Sequence, residues 1–454
     1  MNITTNKQFY LSICCLALTT CLVSLSQSGH AQSNANGRHS VPELQAFQPD
    51  DFHSDMSSTQ GESQLRETAL ANFRTTLAQL TPANVNEQTV GVFNSAVMFN
   101  LDKKLVQKKL RMVLRKLKHY DPQVQREILS AVYTRYAKEM APIVWHELAS
   151  VKTEREFAIA GYVLLQTHMK KSSRNKIFAV MKTNFPDWTN EPRLLELDHA
   201  LHTDLKEELH MRPPLVDLLA APIQAGYPVV FSFQRKNRDF IGLAMVRGAD
   251  GRFVRNPDGS YFNIPQLARA SNNLPSTIAN GNTPQGIYTV KGTDTSTEVI
   301  WIGPTPFLNS LLPVEGTVAD FKHHDDPNKW TEEIYTDLLP ASWKNYFPIK
   351  EAWRAGLAGR NEILAHGTTV NREYYHNESY YPGTPSAGCL VAMEYWSPVD
   401  GKLMHSDQLS LVKAFVSGGS DLGYMVVVNL DNLKRPVVLS DVIDAVILAE
   451  AAKK

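Results

Sequence analysis

The sequence predicts an α+β protein of more than one domain, an all-helical domain followed by a β-rich one, and three observations carry that prediction. From about residue 63 to 211, apolar residues recur three or four positions apart and glycine is almost absent. After Arg212-Pro213-Pro214 the chain turns to short β-branched and aromatic runs separated by Gly, Asn, Asp and Pro. With 454 residues, 43% of them hydrophobic, the chain is long enough to bury two cores. Its 46 basic and 46 acidic residues balance, which argues against nucleic acid as the main partner.

Taken in order, residues 1–31 read as a cleavable secretory signal. Lys7 precedes an apolar stretch from Phe9 to Leu25, and Gly29-His30-Ala31 places small residues where a signal peptidase reads. An uncleaved anchor fits the Ser and Thr content of the stretch less well, and Leu18-Thr19-Thr20-Cys21 is a poor lipobox. The protein is therefore expected to be exported, periplasmic or associated with the cell wall. Residues 32–61, rich in Ser, Asn, Gln, Asp and Pro, read as a flexible linker.

The helical domain is expected over 62–212. Leu70, Phe73, Leu77 and Leu80 share one helical face, as do Val124, Ile128, Val132 and Tyr136; further helices are expected over 154–169 and 173–183. Asp121-Pro122 and Thr153 mark helix starts by a polar cap or a proline in the first turn. The helix in 101–118 sets Lys103, Lys104, Lys108, Lys109, Arg111, Arg115, Lys116 and Lys118 around Leu105, Met112, Val113 and Leu117. Such a helix either solvates a domain face or contacts an anionic wall polymer or membrane surface.

The β-rich domain is expected over 213–431, with strands in 227–234, 240–246, 286–290 and 424–428 and turns at Asp250-Gly251 and Asp258-Gly259. The segment 432–454 closes the chain with a helix from about Asp441 to Ala452.

Cys14, Cys15 and Cys21 fall inside the signal, so its removal leaves Cys389 alone. A single thiol in an exported protein forms no internal disulfide; it is either a core residue or a reactive one. Its context favours reactivity. Gly388 permits a tight turn that exposes the sulfur and aims backbone N–H groups at an oxyanion, and Ser386 offers a supporting hydroxyl. His366 follows the strand-like Ile363-Leu364-Ala365 and precedes Gly367, which makes it the best candidate base; His376 is the alternative.

His366-Gly367 followed by Ser386-Ala387-Gly388-Cys389, with Thr283-Pro284-Gln285-Gly286-Ile287-Tyr288 upstream, resembles the signature of the YkuD-type L,D-transpeptidases over roughly residues 220–430. The resemblance implies a β-sandwich-like catalytic domain acting on peptidoglycan stem peptides, with no metal or organic cofactor. Cys389 would be the nucleophile, His366 the general base and the Gly388-Cys389 backbone the oxyanion hole. Transfer of the acyl group to an amine would make it a transpeptidase, and transfer to water a carboxypeptidase.

Two departures stand out. The family usually has a histidine and an arginine where this chain has Ala387 and Val391, so Arg354, Arg360 or Arg372 would have to replace the lost guanidinium. The stretch between His366 and Ser386 is also longer than the usual form. Its Arg372, Tyr374, Tyr375, Tyr380 and Tyr381 would either wall a substrate cleft, to which Gly367 would also contribute, or pack on one another. Sortases lack a match here, since Thr-Leu-x-Thr-Cys is absent, and papain-like peptidases place cysteine before histidine. A wall-binding protein with a decayed site is the non-enzymatic alternative.

Overall fold

A computed structural model describes residues 38–88, 91–98, 102–296 and 299–452. The expected signal segment and residues 32–37 lie outside the described residues. No described helix is long and apolar enough to cross a membrane.

The first compact unit spans 60–202, and its described elements are all helices. Helix Glu154–Leu165 is buried on nearly every side because Phe157, Ile159, Val163 and Leu164 face different neighbours. Gly161 lets Leu197 of helix Pro192–His202 approach closer than a Cβ would allow. Glu127, buried in helix Pro122–Ala131, accepts backbone N–H groups from Gly91 (3.0 Å) and Phe93 (3.1 Å) at the start of helix Val92–Met98. It thereby satisfies donors that a helix terminus leaves unpaired. The basic helix runs from Lys103 to Leu114, and Val106, Leu110, Val113 and Leu114 bury its apolar face in the unit's core.

The second unit comprises 203–454 together with the N-terminal segment up to Thr59. Its strands are β1 (Val229–Arg235), β2 (Gly242–Arg247), β3 (Ile264–Leu267), β4 (Gly286–Asp294), β5 (Phe307–Leu311), β6 (Leu364–His366), β7 (Leu390–Ala392), β8 (Glu394–Trp396), β9 (Leu403–Ser406) and β10 (Gly423–Asp431). Eight of them close a barrel in the order β1-β10-β4-β5-β6-β7-β3-β2, while β8 and β9 pair apart. The resemblance implied a sandwich; the sheet instead closes because β10 pairs in parallel with β1 and antiparallel with β4.

Alternation along the strands feeds two cores. Val229, Phe231 and Phe233 of β1 join Tyr424, Val426 and Val428 of β10 in a cluster with Trp343, Trp353 and the helix residues Leu218 and Val446. Val230, Met425 and Val427 face a second cluster with Ala365, Leu390 and the helix residues Leu411 and Phe415. Coverage of both faces explains why β1, β2 and β10 read as nearly unbroken apolar runs.

Two boundaries differ from the sequence reading. Helices Leu205–His210 and Leu215–Ala220 belong to the barrel unit, tied there by Lys236–Glu208 (3.3 Å) and by Arg247, which donates to the carbonyl of Leu219. The segment read as linker is folded from residue 38 onward. Ser40 caps helix Val41–Ala46, Leu44 is fully buried in the second cluster, and Phe52 packs with Trp396, Leu403 and Leu409. Arg38 pairs with Asp421 at 3.0 Å. Average composition missed this because a few apolar anchors are enough to order a segment that has a formed surface to dock on.

A candidate nucleophile site at Cys389

Cys389 immediately precedes β7, and the strands around it set its direction. Ala365 of β6 pairs in parallel with Leu390, and both enter the second core cluster. Strand alternation therefore turns Cys389, Val391 and His366 to the opposite face, with His366 paired to Val391. His366 and Cys389 are then offset by two positions in the register of adjacent segments, on the same face.

The turn before the thiol is fastened by three segments. Gly388 has φ +121°, and a Cβ there would overlap Arg360 Nη2 and the Gly281 carbonyl oxygen. Thr283 Oγ1 donates to the Gly388 carbonyl at 2.9 Å. Ser386 Oγ accepts the Gly388 N–H and donates to the Cys389 carbonyl, each at 3.0 Å, while Ser271 N–H donates to the Ser386 carbonyl at 2.8 Å. Two expectations change as a result. The Gly388 amide is already donated to Ser386, which leaves the Cys389 N–H as the remaining oxyanion donor of that pair, and the Ser386 hydroxyl supports the turn itself.

The upstream segment 283–288 is buried and hydrogen-bonded at the start of β4. Tyr288 O–H donates to the Pro284 carbonyl at 2.7 Å, Gln285 Oε1 accepts the Asn429 N–H at 2.8 Å, and Gln285 N–H donates to Glu351 at 3.0 Å. These bonds fix the start of β4 and hold Thr283 at the cysteine turn.

Cys389 is half-buried as a residue, and its sulfur has two polar neighbours. The thiol donates to the Glu362 carbonyl at 3.5 Å and accepts the Leu364 N–H at 3.4 Å. Glu362 adopts φ +55°, uncommon for a side chain of its kind, and its own N–H is held by Glu315 at 3.0 Å. Burial pushes the thiol up to about 11, against the opposing pulls of the Leu364 N–H and the Arg360 cation, so it is protonated at neutral pH.

His366 is buried, and its Nδ1 donates to the Gly367 carbonyl, which leaves Nε2 as the acceptor. Burial brings the imidazole down to about 4, so it is neutral at pH 7 with Nε2 unprotonated, and the same burial makes it a weak base. A stability test follows from this. The unfolded chain binds a proton at His366 near pH 6.5 and the folded chain only near 4, so stability is full above the first value and falls as pH drops to the second. Acid titration of unfolding should show a loss of about 3 kcal/mol from this group, and His366→Gln should remove that share of the slope. An unchanged slope would contradict the neutral, buried assignment.

One neighbour was not legible in the sequence. Glu394 of β8 packs where a Cβ on Gly367 would stand, accepts the Thr368 N–H at 2.8 Å and accepts the Ser406 hydroxyl at 2.8 Å. Burial raises it to about 8. Gly367 is thus required by a carboxylate behind the histidine strand, not by an approaching substrate. In sequence, Glu-Tyr-Trp alternates like an edge strand, and nothing in it marks the carboxylate as buried.

The aromatic loop packs on itself. Tyr375 and Tyr380 are buried with Ile241 and Leu267, their rings 5.6 Å apart, and Tyr374 lies against the same cluster. Tyr381 O–H donates to Glu373 at 2.8 Å, and His376, exposed, stacks edge-on with Tyr381. Arg372 sits 4.8 Å from the Tyr395 ring centre and pairs with Glu373 at 3.5 Å. Tyr375 and Tyr380 are thus committed to packing, while Arg372, Tyr374 and Tyr381 keep part of their surface exposed.

Of the three candidate arginines, Arg354 donates to the Phe347 carbonyl and covers the Phe347 ring, away from the thiol turn. Only Arg360 touches that turn. Two surface clefts lie elsewhere, one of ≈ 1210 Å³ around Gly248–Arg255 and Glu450 and one of ≈ 670 Å³ along the basic helix. Among the described residues no cluster of three or more His, Cys, Asp or Glu is placed to hold a metal. Comparison with family models, with curated proteins and with solved structures finds no match for the chain.

Proposed function

We propose that the protein is an exported cysteine acyltransferase of the L,D-transpeptidase type, acting on peptidoglycan stem peptides. The observation that supports this reading is convergence. Residues more than a hundred positions apart meet at one turn, where Thr283 holds the Gly388 carbonyl and His366 pairs with Val391 in the strand that follows Cys389.

In this reading the Cys389 thiol leaves the Glu362 carbonyl and attacks the carbonyl of the diamino acid in a donor tetrapeptide. Its proton passes to Nε2 of neutral His366 as the C–S bond forms, and the Cys389 N–H faces the oxyanion. Collapse breaks the bond to the terminal D-alanine, whose amine takes the proton from His366 and departs. An acceptor amine then attacks the thioester, giving a crosslink and restoring the thiol; water in its place gives the tripeptide. The thiol is protonated and the imidazole neutral before substrate binds, so the proton has to move in the same step as C–S bond formation.

A small carbapenem tests the acyl step. It is expected to add its full mass to the native protein and to leave Cys389→Ala unmodified. A non-catalytic wall-binding role is the second reading, favoured by a thiol that burial keeps protonated. No adduct on the folded native protein would select it.

For the helical unit we propose a contact with an anionic wall polymer. Lys104, Lys108, Arg111, Arg115 and Lys116 line one cleft, and the helix's apolar face is already buried, which leaves none to insert into a bilayer. Co-sedimentation with sacculi that weakens as salt rises is the expected result; no pelleting, or equal pelleting with anionic vesicles, would contradict it.

A further inference from the structure

Arg360 poses a question of charge. It is 6% exposed, yet among the described residues it forms no ion pair. Its Nη1 donates to the carbonyls of Ser276 and, at 2.7 Å, Asn282; its Nη2 donates to the Gly281 carbonyl at 2.9 Å. Glu351 attracts it through space, but that carboxylate is engaged with Gln285 N–H (3.0 Å) and Lys236 (3.6 Å). A buried cation lacking a contacting anion is costly, and three carbonyl dipoles offset only part of that cost.

The guanidinium lies where a Gly388 Cβ would be, next to the peptide that carries Cys389. The opposite side of the strand offers no room for a cation. Val391 is 4% exposed and pairs with Leu267, part of the apolar cluster of Ile241, Tyr375 and Tyr380. We propose that Arg360 is the positioning residue of the Cys389 site: it clamps the 276–282 loop against the Gly388 turn and supplies the counter-charge for the thiolate and oxyanion formed there. The inference rests on the reading of Cys389 as the reactive group.

Other charges bear on the same sulfur. Glu362 and Glu315 oppose thiolate formation, and Tyr288 is a neutral phenol held well above its ordinary range by burial. Burial first, and then these two carboxylates, hold the thiol high, with Arg360 as the nearby cation that brings it down.

The test is the pH profile of iodoacetamide labelling of the whole protein. Arg360→Met should move the apparent thiol pKa up by about one unit and slow labelling near neutral pH about tenfold, with Arg360→Lys recovering most of the loss. A folded Arg360→Met variant with an unmoved profile would reduce Arg360 to a packing role. Should that variant fail to fold, the native protein decides. Anionic iodoacetate should gain on iodoacetamide relative to free cysteine, and a ratio at or below that of free cysteine would overturn the proposal. Labelling is independent of turnover, so an Arg360-dependent profile without turnover would sink only the transpeptidase reading, and turnover with an Arg360-independent profile only this inference.

Discussion

Cys389→Ala is expected to abolish release of D-alanine from a disaccharide-tetrapeptide, a loss on the order of 10⁴-fold or more, to background. Nothing else near the turn can replace the sulfur. Ser386 Oγ is committed to Gly388 N–H and the Cys389 carbonyl, and Cys389 is the described free thiol. Stability should hardly change, because the sulfur makes only two long contacts, 3.4 Å and 3.5 Å. A variant equally stable but inert separates chemistry from folding; D-alanine release by folded Cys389→Ala would remove the thiol from the mechanism.

The second large effect is expected at Gly388. A methyl group there meets Arg360 Nη2 and the backbone oxygen of Gly281, and φ +121° is strained for any other residue. The guanidinium is pinned by three carbonyls and the Gly281 oxygen belongs to the loop itself, so neither neighbour is free to yield. Gly388→Ala should cost about 2–4 kcal/mol and lower the barrel unit's melting temperature by roughly 5–15 °C. It should also displace Cys389 enough to suppress acylation. Gly388→Ala with native melting and native acylation would show that the turn is looser than described.

Much of this site could be read from residue order alone. Gly388 signalled a tight turn, and Ile363-Leu364-Ala365 signalled the strand that carries His366. The existence of β1, β4 and β10 was legible for a similar reason, since short β-branched and aromatic runs between turn residues mark strands. What failed to show was long-range. Barrel closure depends on β1 meeting β10, some two hundred residues later, a pairing no local pattern encodes. Glu394 behind Gly367 and Arg360 beneath Gly388 are invisible for a related reason: an isolated charged residue carries no periodic mark of burial, and only the fold brings it to the turn. The tyrosines of the 372–381 loop offered two uses in sequence, and only the fold shows that Tyr375 and Tyr380 pack against Leu267 and Ile241.

The most direct test is intact-mass and product analysis of the native protein incubated with disaccharide-tetrapeptide. The account predicts a covalent adduct on Cys389 equal to the tetrapeptide donor less D-alanine, accompanied by crosslinked dimer or tripeptide. A folded protein that forms no adduct and releases no D-alanine, while its Cys389 still reacts with iodoacetamide, would contradict the assignment of this turn as an acyl-transfer site.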